Sequence, residues 1–192
     1  IPFLLVCAFA VKRGLSALVR VGILTTIVST VFVVLMALLL IGNMDFSNFL
    51  PVFDKPAIKY VQATQTVAEL PVLELVAMLM ITPMLRDNKK LTRWWMGGVG
   101  IAMVMFVIIA VRDTAVLGAA SNILGENSYE AIRLINIGEF LTRIELLIAI
   151  TYTMLLFVKT TALYYVTTTA LSQMLRVDRN VMILPVGALT LF

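Results

Sequence analysis

Apolar runs of about the 20 residues that a helix needs to cross a hydrocarbon core recur along this chain, separated by short clusters of charge. Backbone in lipid must satisfy its own hydrogen bonds, so such runs form helices that pack as a bundle. The 192 residues are 61% hydrophobic and 14% charged, with a mean hydropathy of +1.02. Soluble domains run at roughly 45–50% apolar, and a soluble fold has no way to hide this excess. The expected fold class is all-α transmembrane, a single membrane-embedded helical domain over residues 1–192.

The runs predict spans at Ile1 to Ala10, Ile23 to Ile41, Val61 to Leu85, Trp94 to Val111, Ile144 to Leu175, and Val181 onward. The first and last are short and lie at the chain ends, which reads as a domain truncated at both ends. The fifth, at about 1.5 Å per residue, is too long for one perpendicular crossing of a roughly 30 Å core and must tilt, break or project into water. Orientation follows from the connections. Lys12, Arg13 and Arg20 precede the second span, Arg86, Lys89, Lys90 and Arg93 follow the third, and Arg176 and Arg179 follow the fifth. In the alternate loops Asp45 and Asp54 balance Lys55 and Lys59, and Asp113, Glu126, Glu130 and Glu139 outnumber Arg112, Arg133 and Arg143. The positive-inside rule places the three basic connections in the cytoplasm without conflict.

The net charge of +4 is explained by lipid orientation, because the basic residues flank apolar spans and form no basic stripe for nucleic acid. Lys12 and Arg13 follow the first apolar run, the reverse of a secretory signal. Cys7 is the single cysteine and there is no histidine, so no internal disulfide is possible, and neither a metal nor another cofactor is expected. No activated nucleophile or acid–base cluster points to an enzyme. In the loop from Leu117 to Gly138, Ser128 followed by Ala131, Ile132, Leu134 and Ile135 predicts a short helix capped by Ser128 and ended by Gly138. Pro51 and Pro56 mark an outer loop that carries a short surface segment. Gly97, Gly98 and Gly100 predict close helix packing.

Three ionisable residues stand inside spans. Glu69 and Glu74 lie in the third and Lys159 near the middle of the fifth, where each charge costs about 2.5–3.5 kcal/mol on insertion scales. Glu74 follows Lys59 by fifteen residues and Lys159 follows Arg143 by sixteen, which puts both near the midplane and within reach of each other. A pair that only fixes helix packing has this geometry. So does a site in which Lys159 supplies a fixed charge in place of a bound cation and Glu74 holds a substrate ammonium or takes a proton. Pro71, between the two glutamates, removes one donor and pushes away the carbonyl of Val67, and backbone freed at this depth lines a cavity or takes a partner from Thr64, Thr66 or water. Glu145, Tyr152 and Lys159 recur every seven residues on one face, with Thr153 and Thr160 beside it. Lys159 with Glu74 is the expected ion pair or cation mimic, while tyrosine and threonine also pack helices through hydrogen bonds.

Three strings then carry a resemblance: DFSNFLPVF from Asp45 to Phe53, ELPVLELVAMLMITPML from Glu69 to Leu85, and IRLINIGEFLTRIE from Ile132 to Glu145. With the VKTT stretch around Lys159, their order and spacing resemble the spore germination B-subunit family across nearly the whole chain. The resemblance implies the amino acid, polyamine and organocation transporter superfamily, with an inverted-repeat (LeuT-like) fold of about ten core helices, of which this chain is a fragment holding about helices four to nine. It implies that the third span is the discontinuous sixth helix, which forms half of the substrate site, with Pro71 and Glu74 at its break and Glu69, Leu70, Pro71, Val72, Leu73 and Glu74 with Tyr152 and Thr153 as the expected ligand-binding positions. It also implies a nutrient sensor in the spore inner membrane that binds an amino acid or similar small nutrient and signals through a larger A subunit and a C lipoprotein. The alternative is a secondary amino acid or polyamine transporter using the same site. The family commonly has a pattern like PFGEL where this chain reads Pro71, Val72, Leu73, Glu74, Leu75, so Leu73 is expected to crowd a pocket or stiffen the break and to favour a different or smaller nutrient.

Overall fold

The computed structural model describes residues 2–50, 56–84, 91–118, 127–133 and 144–189, and only the backbone of residues 70–72, 78, 83, 84, 133, 144 and 145. Among the described residues every regular element is helical: α1 (Pro2–Arg13), α2 (Leu15–Leu39), α3 (Ala57–Met78), α4 (Leu91–Leu117), α5 (Asn127–Arg133), α6 (Ile144–Leu175) and α7 (Arg179–Leu189). Four segments among the described residues are long and apolar enough to cross a membrane: Leu15–Leu39, Ala57–Thr82, Leu91–Leu117 and Leu146–Leu175. They correspond to the second to fifth predicted spans. Leu24, Ile27, Val31, Leu35 and Leu38 leave an exposed apolar stripe along α2, as a helix does where it meets lipid.

The basic connection before the second span is not a loop. A single residue, Gly14, separates α1 from α2, with φ at +88°, where a side chain is strained. Its N–H donates to the Val11 carbonyl at 3.0 Å, and its own carbonyl accepts from Ala17 and Leu18 at 3.2 and 3.4 Å, so one residue closes one helix and opens the next. Arg20 interrupts the apolar pattern but is a good helix former, which is why α2 starts eight residues before the predicted Ile23.

The break expected at Pro71 is also absent. The backbone stays α-helical from Ala57 to Met78 and tightens into a 3₁₀ helix only at Leu79–Met84. Proline costs one hydrogen bond, and the rest of the ladder holds the helix across it. Thr64 and Thr66 donate to the carbonyls of Tyr60 and Gln62, at 2.9 and 3.0 Å, rather than to that of Val67. The fifth predicted span is unbroken, since α6 has 32 residues and a length of about 48 Å. It ends where Arg176 takes φ 55° and the Val177 N–H reaches back to the Ser172 carbonyl at 3.2 Å, a Schellman-type stop. Asp178 then caps α7 by accepting from the Asn180 N–H at 2.9 Å.

The chain divides into two compact units. The first comprises Ile1–Thr26, Lys55–Arg86 and Thr153–Phe192. Its core joins Cys7 and Val11 of α1, Leu18 of α2, Ala162, Tyr164 and Tyr165 of α6, and Ile183 and Val186 of α7. The Tyr164 hydroxyl donates to the Ile183 carbonyl at 2.5 Å, and Arg179 donates to the Tyr165 hydroxyl at 2.8 Å while its guanidinium lies 4.8 Å from that ring's centroid.

The second unit comprises Ile27–Asp54 and Asp87–Tyr152, with Met36, Leu40, Ile132 and Ile148 at its core. The outer loop carries its expected surface segment as two 3₁₀ turns, Ile41–Asn43 and Phe46–Phe49. The second packs on α4, where the Ala115 carbonyl accepts both the Asp45 N–H at 2.9 Å and the Asn48 amide at 3.0 Å. Gly118, at φ 51°, permits this approach, since a Cβ there would stand 2.6 Å from Asn48 Oδ1. A Cβ added at Gly97, Gly98 or Gly100 would meet no atom within 4 Å, so the close packing expected at these glycines is not found among the described residues.

Candidate functional site

Glu74 of α3 and Lys159 of α6 meet in the first unit, Lys159 Nζ standing 2.6 Å from Glu74 Oε1. Each belongs to a segment of membrane-crossing length, Ala57–Thr82 and Leu146–Leu175. Neither charge is enclosed. The Lys159 side chain is 52% exposed and that of Glu74 is 36% exposed. Ionised groups at this depth are costly against hydrocarbon, and a direct pair offsets part of that cost by cancelling net charge. The open side of the pair therefore calls for something polar opposite it: water, a ligand or another polar group.

The other expected positions are less closely grouped. Glu69 accepts from Gln65 Nε2 at 3.1 Å on its own helix, and five residues turn it about 140° away from Glu74. Leu73 is exposed. The side chains of Leu70, Pro71 and Val72 lie outside the described residues, as does that of Glu145. Tyr152 is exposed on α6, two turns before Lys159. Thr153 lines a separate apolar groove with Thr25, whose buried hydroxyl has no partner among the described residues. Other threonines of α6, including Thr151, Thr167 and Thr169, donate to carbonyls four residues earlier, the ordinary way for a hydroxyl to be neutralised in a membrane helix.

One polar cluster looks, in the sequence, like nothing more than loop charge. Arg112 and Asp113 are buried near the end of α4, where Arg112 Nε and Nη2 donate to Asp113 Oδ1 at 2.8 and 2.6 Å. Ser128 is not the cap of α5. Its hydroxyl donates to Asp113 Oδ2 at 2.5 Å and accepts from Arg112 at 2.8 Å. The adjacent opposite charges are the signal that could have found the cluster. Because they cancel, α4 runs on to Leu117 rather than stopping at Val111. In the outer loop, hydrogen bonds from the Ser47 side chain and backbone hold the Asp45 carboxyl below its ordinary range. Among the described residues no group of three His, Cys, Asp or Glu side chains is placed to hold a metal ion.

Chemically, the pair places two neutralising opposite charges on otherwise apolar helices of one unit. Neither curated proteins nor solved structures provide a match to the chain. A family model for spore germination proteins, the spore permeases, matches residues 1–192, and the chain belongs to that family.

Proposed function

We propose that this membrane protein of a germination family is the nutrient-binding B subunit of a germinant receptor. An amino acid or similar small nutrient engages the Glu74–Lys159 pair and shifts a conformational equilibrium that is passed to a larger A subunit and a C lipoprotein in the spore inner membrane. The observation that carries the reading is the pair itself: two opposite charges in contact at 2.6 Å, within membrane-length helices, each with an open side. A zwitterionic ligand offers an ammonium to Glu74 and a carboxylate to Lys159, and it acts only through unequal affinity for two states. Pro71, three residues before Glu74, and Tyr152, on the Lys159 face of α6, are proposed to flank that ligand.

The test is germination of spores carrying the full-length protein with Glu74→Gln or Lys159→Met, scored against a panel of amino acids while protein level is followed by immunoblot. A nutrient dose response shifted at least tenfold at normal abundance is expected. Parallel loss of response and abundance would reduce the pair to a packing contact. Accumulation of radiolabelled amino acid in vesicles holding the protein alone would favour the carrier that uses the same site.

A further inference from the structure

Gly14 turns the chain from α1 into α2, and residues of both helices line a groove over α6 that the ion pair does not use. Pro2, Phe3 and Val6 of α1 stand across from Val21 and Thr25 of α2, over Phe157 and its neighbours on α6, around a space of about 400 Å³. Phe3 meets Phe157 edge to face with ring centroids 6.3 Å apart. Apart from threonine hydroxyls, the walls are hydrocarbon, aromatic ring and thioether.

On α1 the groove continues as one helix face. Residues 2, 6, 9 and 13 are spaced four, three and four apart, so Pro2, Val6, Phe9 and Arg13 share a narrow arc. Val6 and Phe9 are more than half exposed, and the Arg13 guanidinium lies 5.0 Å from the Phe9 centroid, so the apolar stripe ends in a cation held over a ring. Lys12 and Arg20 are exposed on either side of the same turn. Among the described residues no carboxylate pairs with Lys12, Arg13 or Arg20. From residue 2 to residue 13 the helix rises about 16 Å, close to the roughly 15 Å hydrocarbon depth of a single leaflet. The charge pattern sets the basic end at the cytoplasmic surface.

An apolar track one leaflet deep, ending in cations that no carboxylate among the described residues pairs with, is complementary at both ends to one kind of molecule. We propose that the α1–α2 hairpin holds an anionic phospholipid of the cytoplasmic leaflet, its acyl chain along Val6, Phe9 and the groove, its phosphate on Lys12 and Arg13. A zwitterionic lipid fits the track equally well but brings no net charge to the cations, so selectivity resides in the headgroup.

The experiment uses the full-length protein in phosphatidylcholine vesicles doped with phosphatidylglycerol whose acyl chain carries a photoactivatable diazirine, with crosslinked peptides mapped by mass spectrometry. Label is expected on residues 2–9 and 21–25, and it is expected to fall about fivefold for each cation removed in Lys12→Gln and Arg13→Gln, the equivalent of about 1 kcal/mol per charge. Arg13→Lys is expected to retain it. Val6→Trp obstructs the groove and leaves both cations, so loss of label in a variant that still elutes as a single species on gel filtration supports the site independently. Equal labelling by diazirine-bearing phosphatidylcholine, label indifferent to Lys12, Arg13 and Val6, or a hairpin shielded from label by another segment of the protein would each overturn it.

Discussion

At the residue scale, identical charges carry different meanings according to their surroundings, and the sequence shows only part of this. Glu74 and Lys159 are conspicuous because charges inside apolar runs are costly, and equal counting from the outer charges places them at one depth; the structure puts them in contact. Arg112 and Asp113 are not conspicuous, since they sit where an apolar run ends and resemble loop charge. Their burial depends on Ser128, fifteen residues downstream of Asp113, and no local pattern announces that contact. The energetics are asymmetric. Removing one member leaves the other charge buried without its partner, so Asp113→Ala is expected to destabilise the protein by about 3–5 kcal/mol, whereas the paired replacement Arg112→Met/Asp113→Leu is expected to be much milder. Thermal unfolding in detergent measures both, and equal losses would show that the pair is not coupled.

At the element scale, hydropathy locates helices well and their ends badly. Four of the six predicted spans reappear as helices of crossing length, because each rests on a long apolar run. The errors lie at the boundaries, where charge in the sequence reads as a stop. Arg20 sits inside α2, and Arg112 with Asp113 sits inside α4, because a helix ends where its backbone finds caps rather than where polarity begins. Pro71 errs in the opposite sense: a residue that reads as a break is carried within α3. Between α1 and α2 the interruption is Gly14: the adjacent Lys12 and Arg13 announce a connection, but that it takes a single residue is legible only in the positive φ. Open space surrounds its missing Cβ, so Gly14→Ala has no clash to relieve, and its cost is conformational, about 1–2 kcal/mol. That cost is expected as faster hydrogen exchange in residues 11–18 with little change elsewhere.

At the scale of the whole molecule, the family is legible in the order of several strings, while the ligand geometry is not, because it depends on which faces of α3 and α6 meet. That meeting gives a test that single substitutions do not. The exchange Glu74→Lys/Lys159→Glu preserves an ion pair and reverses its direction. Normal abundance with a lost or altered nutrient response is expected if a ligand reads the polarity of the pair, and full recovery of both would assign the pair to packing alone. The Gly14 hairpin has a consequence for how such a protein is made. A one-residue link leaves no slack for α1 and α2 to enter the bilayer one after the other. Straightened into a single rod, the 38 residues from Pro2 to Leu39 would extend about 57 Å, nearly twice the hydrocarbon thickness. The two segments are therefore expected to insert together, and the positive-inside pattern is expected to leave Lys12 and Arg13 on the side of synthesis, so that a turn rather than a span sets the topology there.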